Sequence, residues 1–279
     1  MATRRQTVQR KVNEPAPPPE PLAVPVLDSH THLDMQDPSV EEAVAAAAAV
    51  GVTRLVQVGV DVDSSRWGVT VAESQPEVVA TVAVHPNEAP LLSDLDEALR
   101  QIESLASRDR VRGVGETGLD YFRTPPEGRK AQEESFRAHI AIAKRYRKAL
   151  VIHDRDAHDD VLRVLDSEGA PETVVLHCFS GNADFARECA ARGYFLSFAG
   201  NVTFKSAVDL QHAAQVAPRD QILVETDAPF LTPVPYRGRP NAPYLIPLTV
   251  RFLAQLRGED VDELSAAISA TGERVFGPW

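Results

Sequence analysis

Two cysteines, Cys178 and Cys189, in 279 residues exclude a disulfide framework and suit a reducing cytoplasm. No apolar run approaches the roughly 20 residues that a membrane span needs, so no membrane association is expected. Positive charge is scarce as well: 29 Lys and Arg face 40 Asp and Glu, a net charge of -11. That balance argues against sequence-independent coating of DNA, which requires many cationic contacts to phosphate. It leaves room for an enzyme that takes the end of a polyanion into a cation-lined pocket, where bound divalent metals would reverse the local charge. There is no internal repeat and no second-domain boundary. A Gly-rich phosphate loop is missing after the first apolar segment, which counts against a doubly wound open sheet.

What is present is ordinary for a globular chain, with 43% hydrophobic and 25% charged residues, and the length suits one large domain. The exception is residues 1–25, which carry Arg4, Arg5, Arg10 and Lys11 and then six prolines, from Pro15 to Pro25. This segment lacks the apolar core and small-residue cleavage site of a signal peptide, and its composition predicts a disordered basic tail. No obligate protein partner is evident.

From there on, strand-like and helix-like stretches alternate. Apolar, β-rich runs fall at 24–32, 54–60, 78–85, 111–116, 149–153, 173–177, 194–198 and 221–226. Amphipathic or Ala-rich stretches separate them, including 40–50, 94–106, 132–147, 159–168, 183–191 and 205–216. Gly51, Gly169 and Gly193 stand where helices should stop. Eight β/α units with short connections predict a (β/α)8 TIM barrel over 26–279, because eight parallel strands close on themselves.

The polar residues then fall into place. In Asp28-Ser29-His30-Thr31-His32-Leu33-Asp34, the strand period of two puts His30 and His32 on one face, able to grip a single metal ion. His85, Glu116, His153, His177 and Asp227 each end a later strand-like run. A barrel gathers those C-terminal strand ends at one mouth, where carboxylates would repel without a cation. Imidazoles and carboxylates in that number can hold a pair of metals with a bridging ligand and open water sites.

The sequence resembles the TatD family of metal-dependent nucleases, within the wider group of metal-dependent hydrolase barrels. The matching motifs are DSHTHLD (28–34), VAVHPNEA (82–89), VGETGLDY (114–121), VIHDRDA (151–157), LHCFSG (176–181) and VETDAPFL (224–231), then PVPYRGRPN (233–241). The resemblance implies that His30, His32 and Asp227 bind one metal, that His153 and His177 bind a second, and that Glu116 bridges them. Related barrels often carry a carbamylated lysine on strand four; Glu116 in that place favours the TatD branch. The implied reaction is hydrolysis of phosphodiesters, with exonucleolytic cleavage of DNA, and sometimes RNA, from the 3′ end. Asp227 is expected to orient and deprotonate the attacking water, with His85 and Arg155 reaching the substrate phosphate. Magnesium, manganese and zinc all stay open: histidines suit the latter two, yet the family is often active with magnesium. The same site could serve an ester or amide hydrolase, such as one acting on the aminoacyl ester of a tRNA end, or survive in a catalytically silent scaffold.

Around these residues, Glu225 and Asp28 are expected to orient ligand histidines. Cys178 should point away from the site as a packed thiol, and His139, His158 and His212 should lie at or near the surface of helices. Tyr121 and Phe122 are placed to stack a terminal base or simply to pack. The alternative for Arg155 is a salt bridge to Asp154, Asp156 or Asp159. Ala242, before Pro243, and the stretch Ala270-Thr271-Gly272-Glu273-Arg274 depart from the family pattern outside the ligand set.

Overall fold

The computed structural model describes residues 14–279. Eight parallel strands pair in sequence order: β1 (Val26–Thr31), β2 (Val52–Val58), β3 (Val78–Val82), β4 (Val111–Asp120), β5 (Ala149–Arg155), β6 (Val174–Leu176), β7 (Phe195–Phe198) and β8 (Ile222–Val224). Seven helices connect them: α1 (Val40–Ala48), α2 (Val62–Ser74), α3 (Leu95–Ala106), α4 (Arg129–Tyr146), α5 (His158–Glu168), α6 (Ala183–Ala191) and α7 (Val208–Val216). After β8 come α8 (Ile246–Arg257) and α9 (Val261–Phe276). The strands are almost wholly buried, as strands must be when helices cover one side and the barrel interior fills the other.

The barrel closes between β1 and β8. Thr31 bridges to Ala228, His32 N–H donates to the Ala228 carbonyl at 3.0 Å, and Asp227 N–H donates to the His30 carbonyl at 2.9 Å. Asp28 completes the seam, its carboxyl group accepting from Thr226 N–H at 2.9 Å and bonding the Thr226 hydroxyl. It therefore ties strand to strand and does not orient a ligand imidazole as expected. Burial pushes its pKa up to about 8, against the pull of these hydrogen bonds.

Strand ends differ from the apolar runs where the chain turns into the mouth. β1 stops at Thr31 and places Asp34 in a short turn, where Gln57 Nε2 donates to it at 3.0 Å. β4 runs four residues further than expected because its ladder to β5 slips: Val114 pairs with Leu150, but Thr117 with Ile152. The slip depends on Gly115, whose missing Cβ would collide with Val151. It turns Glu116 into the barrel mouth.

The expected disordered tail is corrected for 14–25. Ala16 and Leu22 are buried, and Leu22 N–H donates to the Val50 carbonyl at 3.0 Å on the barrel floor. Further up, the carbonyls of Pro15, Ala16 and Pro21 accept from Arg239 (3.1 Å), Tyr244 (2.6 Å) and Arg251 (3.0 Å). A Pro-rich stretch has no internal hydrogen bonds, and here the barrel supplies the donors. Arg4, Arg5, Arg10 and Lys11 lie outside the described residues.

His139 also departs from expectation. It is fully buried, donating from Nδ1 to the Ser135 carbonyl at 2.7 Å and accepting Val84 N–H on Nε2 at 3.0 Å. A ring that must accept on one nitrogen is neutral, and burial lowers its pKa to about 4. The unfolded chain therefore binds a proton here that the native state refuses. Stability from this group is complete above pH 6.5 and is lost as pH falls toward 4, by ~3 kcal/mol in all. His139→Gln keeps an acceptor for Val84 and should remove most of that fall in urea denaturation compared between pH 7.5 and 4; an unchanged pH slope would deny His139 this role.

Candidate active site

The mouth holds a cavity of about 600 Å³, lined by His32, His85, Glu116, His153, His177 and Asp227. All eight residues expected to form the site converge there, with His30 at its floor. At the centre is Glu116, only 4% exposed. Its Oε1 lies 2.5 Å from His153 Nδ1, 2.7 Å from His177 Nε2 and 3.2 Å from His85 Nε2, while Oε2 lies 3.5 Å from His30 Nε2. Asp227 Oδ1 is 3.4 Å from His32 Nε2 and 3.8 Å from His30 Nε2. The His30 and His177 rings stack at 3.9 Å.

These atoms form three overlapping donor sets: His30, His32 and Asp227; His30, Glu116 and His177; and His85, Glu116 and His153. Both ring nitrogens of His30 are buried without a hydrogen-bond partner, an arrangement costly for a ring that holds nothing. Nitrogen and carboxylate donors crowded around an orphaned imidazole fit a divalent cation.

The charges say the same. Burial by itself would raise the pKa of Glu116, but the imidazoles of His177, His85 and His153 hold it well below the usual carboxylate range. Burial likewise opposes protonation of His177, yet Glu116 and Glu225 drive its pKa well above the ordinary value. Asp227 is lowered against its burial by His32 and His30, and His153 is raised by Asp120 and Glu116. Protons shared among these groups supply the positive charge that a divalent cation would bring.

Partners on the far side of each ring decide which nitrogen faces the site. His32 Nδ1 lies 3.2 Å from the Val58 carbonyl, which can only accept, so Nε2 keeps its lone pair for the site. His177 Nδ1 meets Glu225 Oε1 at 3.2 Å, with the same result; the expected role of Glu225 is present, and it also accepts Cys178 N–H at 2.9 Å. His153 Nε2 meets Asp120 Oδ2 at 3.2 Å, turning Nδ1 inward. His85 is the reverse. Its Nδ1 accepts Asn87 N–H at 3.0 Å, so Nε2 must carry a proton and points a donor, not a lone pair, into the cavity.

Arg155 lines the cavity without a carboxylate partner among the described residues. Of the carboxylates expected to pair with it, Asp154 is taken by His158 Nδ1 at 2.6 Å, and the guanidinium instead covers the Phe122 ring at 4.0 Å. His158 is half-buried against Phe185, and His212 is exposed as expected. Tyr121 is packed, with Arg129 over its ring at 3.9 Å and its hydroxyl donating to Asp160 at 2.8 Å.

Cys178 is a correction, because it lines the cavity. The strand period fails there since β6 ends at Leu176 and Cys178 turns to φ +42°, out of alternation. Asp120 was missed, although its place on the Glu116 face of one strand, four residues on, was a readable signal. Arg123 and Phe230, on loops without periodicity, carried none.

Residues 27–277 match the family model described as TatD related DNase. An uncharacterized metal-dependent hydrolase TatD of Mycobacterium tuberculosis is 44% identical over 260 residues, covering 90% of this chain and 98% of the relative. The uncharacterized metal-dependent hydrolase YabD of Bacillus subtilis is 36% identical, with 90% and 98% covered. Among solved structures, the TatD homologue YJJV of Escherichia coli K12 superposes with a TM-score of 0.84 at 28% identity, covering 90% of this chain and 97% of that one.

Replacing Glu225 by Gln keeps the shape of the side chain and removes the charge behind His177. Such outer partners typically change metal affinity about 10–100-fold. Titration of the metal-stripped variant with manganese should show a loss of that size with an unchanged fold by circular dichroism. Unaltered affinity would mean that His177 needs no such support.

Proposed function

The chain belongs to the TatD-related DNase family of metal-dependent hydrolases, and we propose that it is a cytoplasmic nuclease that hydrolyses phosphodiester bonds at DNA ends, and RNA ends in addition. One observation carries this reading: a buried carboxylate, Glu116, is shared by two of three overlapping donor sets, with the Nε2–H of His85 and the Arg155 guanidinium facing the same cavity.

In this reading His30, His32 and Asp227 would hold one divalent metal ion and His153 and His177 a second, with Glu116 serving both. Such ions would lower the pKa of water and stabilise the charge that builds up on the attacking and leaving oxygens of an in-line displacement. His85 lies within ligand distance of Glu116, but its Nε2–H suits it to the substrate. It donates to a non-bridging oxygen of the phosphate, and Arg155 adds a fixed positive charge to the same group. Asp227 Oδ1 lies 3.4 Å from His32 Nε2 as part of the same ligand set, which leaves Oδ2 to orient the attacking water and accept its proton. No helix among the described residues is long and apolar enough to cross a membrane.

The test is a 5′-labelled single-stranded DNA incubated with metal-stripped protein, to which magnesium, manganese or zinc is returned. A metal-dependent ladder shortening from the 3′ end is expected, with turnover reduced about 10²–10⁴-fold in Asp227→Asn, the usual range for removing a general base. Near-normal turnover by that variant would take the water-activating role from Asp227. Failure to cut with any of the three metals, by protein that binds them, would turn the reading to ester or amide hydrolysis.

A further inference from the structure

Large apolar side chains left exposed on this protein are unevenly distributed. Apart from Trp67 on α2, each one described lies on a connection leaving the C-terminal end of a strand, or opens the helix that follows. The mouth of the barrel is therefore ringed by apolar groups. Two of them are aromatic: Phe122, 65% exposed, after β4, and Phe230, 52% exposed, after β8.

In an eight-stranded barrel of sequential order, β4 and β8 are four strands apart in either direction, so the two rings stand on opposite walls of the mouth. Phe230 approaches His32 edge-on, with ring centroids 6.4 Å apart. Phe122 carries the Arg155 guanidinium on its ring at 4.0 Å. Glu116 and Asp227 lie in the cavity between these walls.

The mouth also holds cations. Several arginines elsewhere are committed to carboxylates, and Arg137, Arg163 and Arg192 each bridge two. Arg123 and Arg155 line the cavity and make no ion pair among the described residues. In a chain of net charge -11, two uncommitted guanidiniums beside exposed aromatic rings match a ligand that alternates anionic and π-faced groups.

We propose that Phe122 and Phe230 are base-stacking positions on either side of the reacting phosphate, with Arg155 and Arg123 holding the adjoining backbone. This rests on the nuclease reading above and deepens it. Bases paired and stacked in a duplex cannot offer a face to rings on opposite walls, whereas an unpaired strand can turn one base to each. One nucleotide on each side of the reacting bond is then gripped.

The test is equilibrium binding of fluorescein-labelled octathymidylate, followed by anisotropy in the Asp227→Asn background so that the strand stays intact. An octamer of abasic sites, with the same charge and no bases, serves as the comparison. Phe122→Ala and Phe230→Ala should each weaken binding of octathymidylate about tenfold, in the range found for loss of one base–aromatic stack, and leave the abasic strand unaffected. Phe122→Trp should restore the affinity, and Phe122→Leu should not. Equal losses on both strands, no loss on either, or no binding of octathymidylate would overturn the stacking positions. Cleavage of octathymidylate by the wild-type protein is scored separately: its absence refutes the nuclease reading, whatever the rings do.

Discussion

A charged carboxylate buried at the mouth of a barrel is the constraint from which the rest of this site follows. Glu116 is removed from water, where a carboxylate loses several kcal/mol of solvation unless other charges replace it. His177, His85 and His153 around one oxygen and His30 near the other provide that replacement, and they come from strands, or strand ends, spread around the barrel. The carboxylate is therefore matched by an imidazole in or just beyond each of β1, β3, β5 and β6. It also depends on the slip in β4, because a regular ladder would carry Glu116 past the mouth at a different angle, and Gly115 is what lets the strand approach Val151 closely enough.

A second rank of groups gives identical side chains different functions. The Val58 carbonyl, Glu225 and Asp120 each take one nitrogen of a ring and leave the other bare, whereas the Asn87 amide forces a proton onto the inward nitrogen of His85. Four of the five imidazoles are thus sorted by their outer neighbours into electron-pair donors and a proton donor, and only His30 has no such neighbour. Proximity alone would have placed His85 with the ligands.

Much of this was legible in the residue order. Period-two spacing puts His30 beside His32, and the regular return of apolar β-rich runs requires eight strands, so the polar strand ends had to meet. Legibility failed where alternation stops. Cys178 follows a ligand by one residue and by parity should face outward, but a left-handed backbone turn reverses it. His139 looks like a surface residue on a charged helix, and only the Val84 amide arriving from 55 residues away explains its burial. Residues 14–25 read as disordered because proline-rich chain makes no bonds to itself; the donors that fix it, Arg239, Tyr244 and Arg251, lie more than 200 residues later. Tertiary partners of this kind leave no local pattern.

The seam between β1 and β8 has a consequence for the order of events in the life of the chain. His30 and His32 emerge early in synthesis, and Asp227 follows nearly 200 residues later, joined to them only through the Asp28–Thr226 contact and the few bonds beside it. Contacts of such long sequence separation form late, since the intervening loop must be closed before they reward it. Until then His30 and His32 lie on an open sheet without Asp227, and an incompletely folded chain lacks the assembled mouth. Hydrolytic competence is consequently an all-or-none property of the closed barrel, acquired only when the last strand has joined the first.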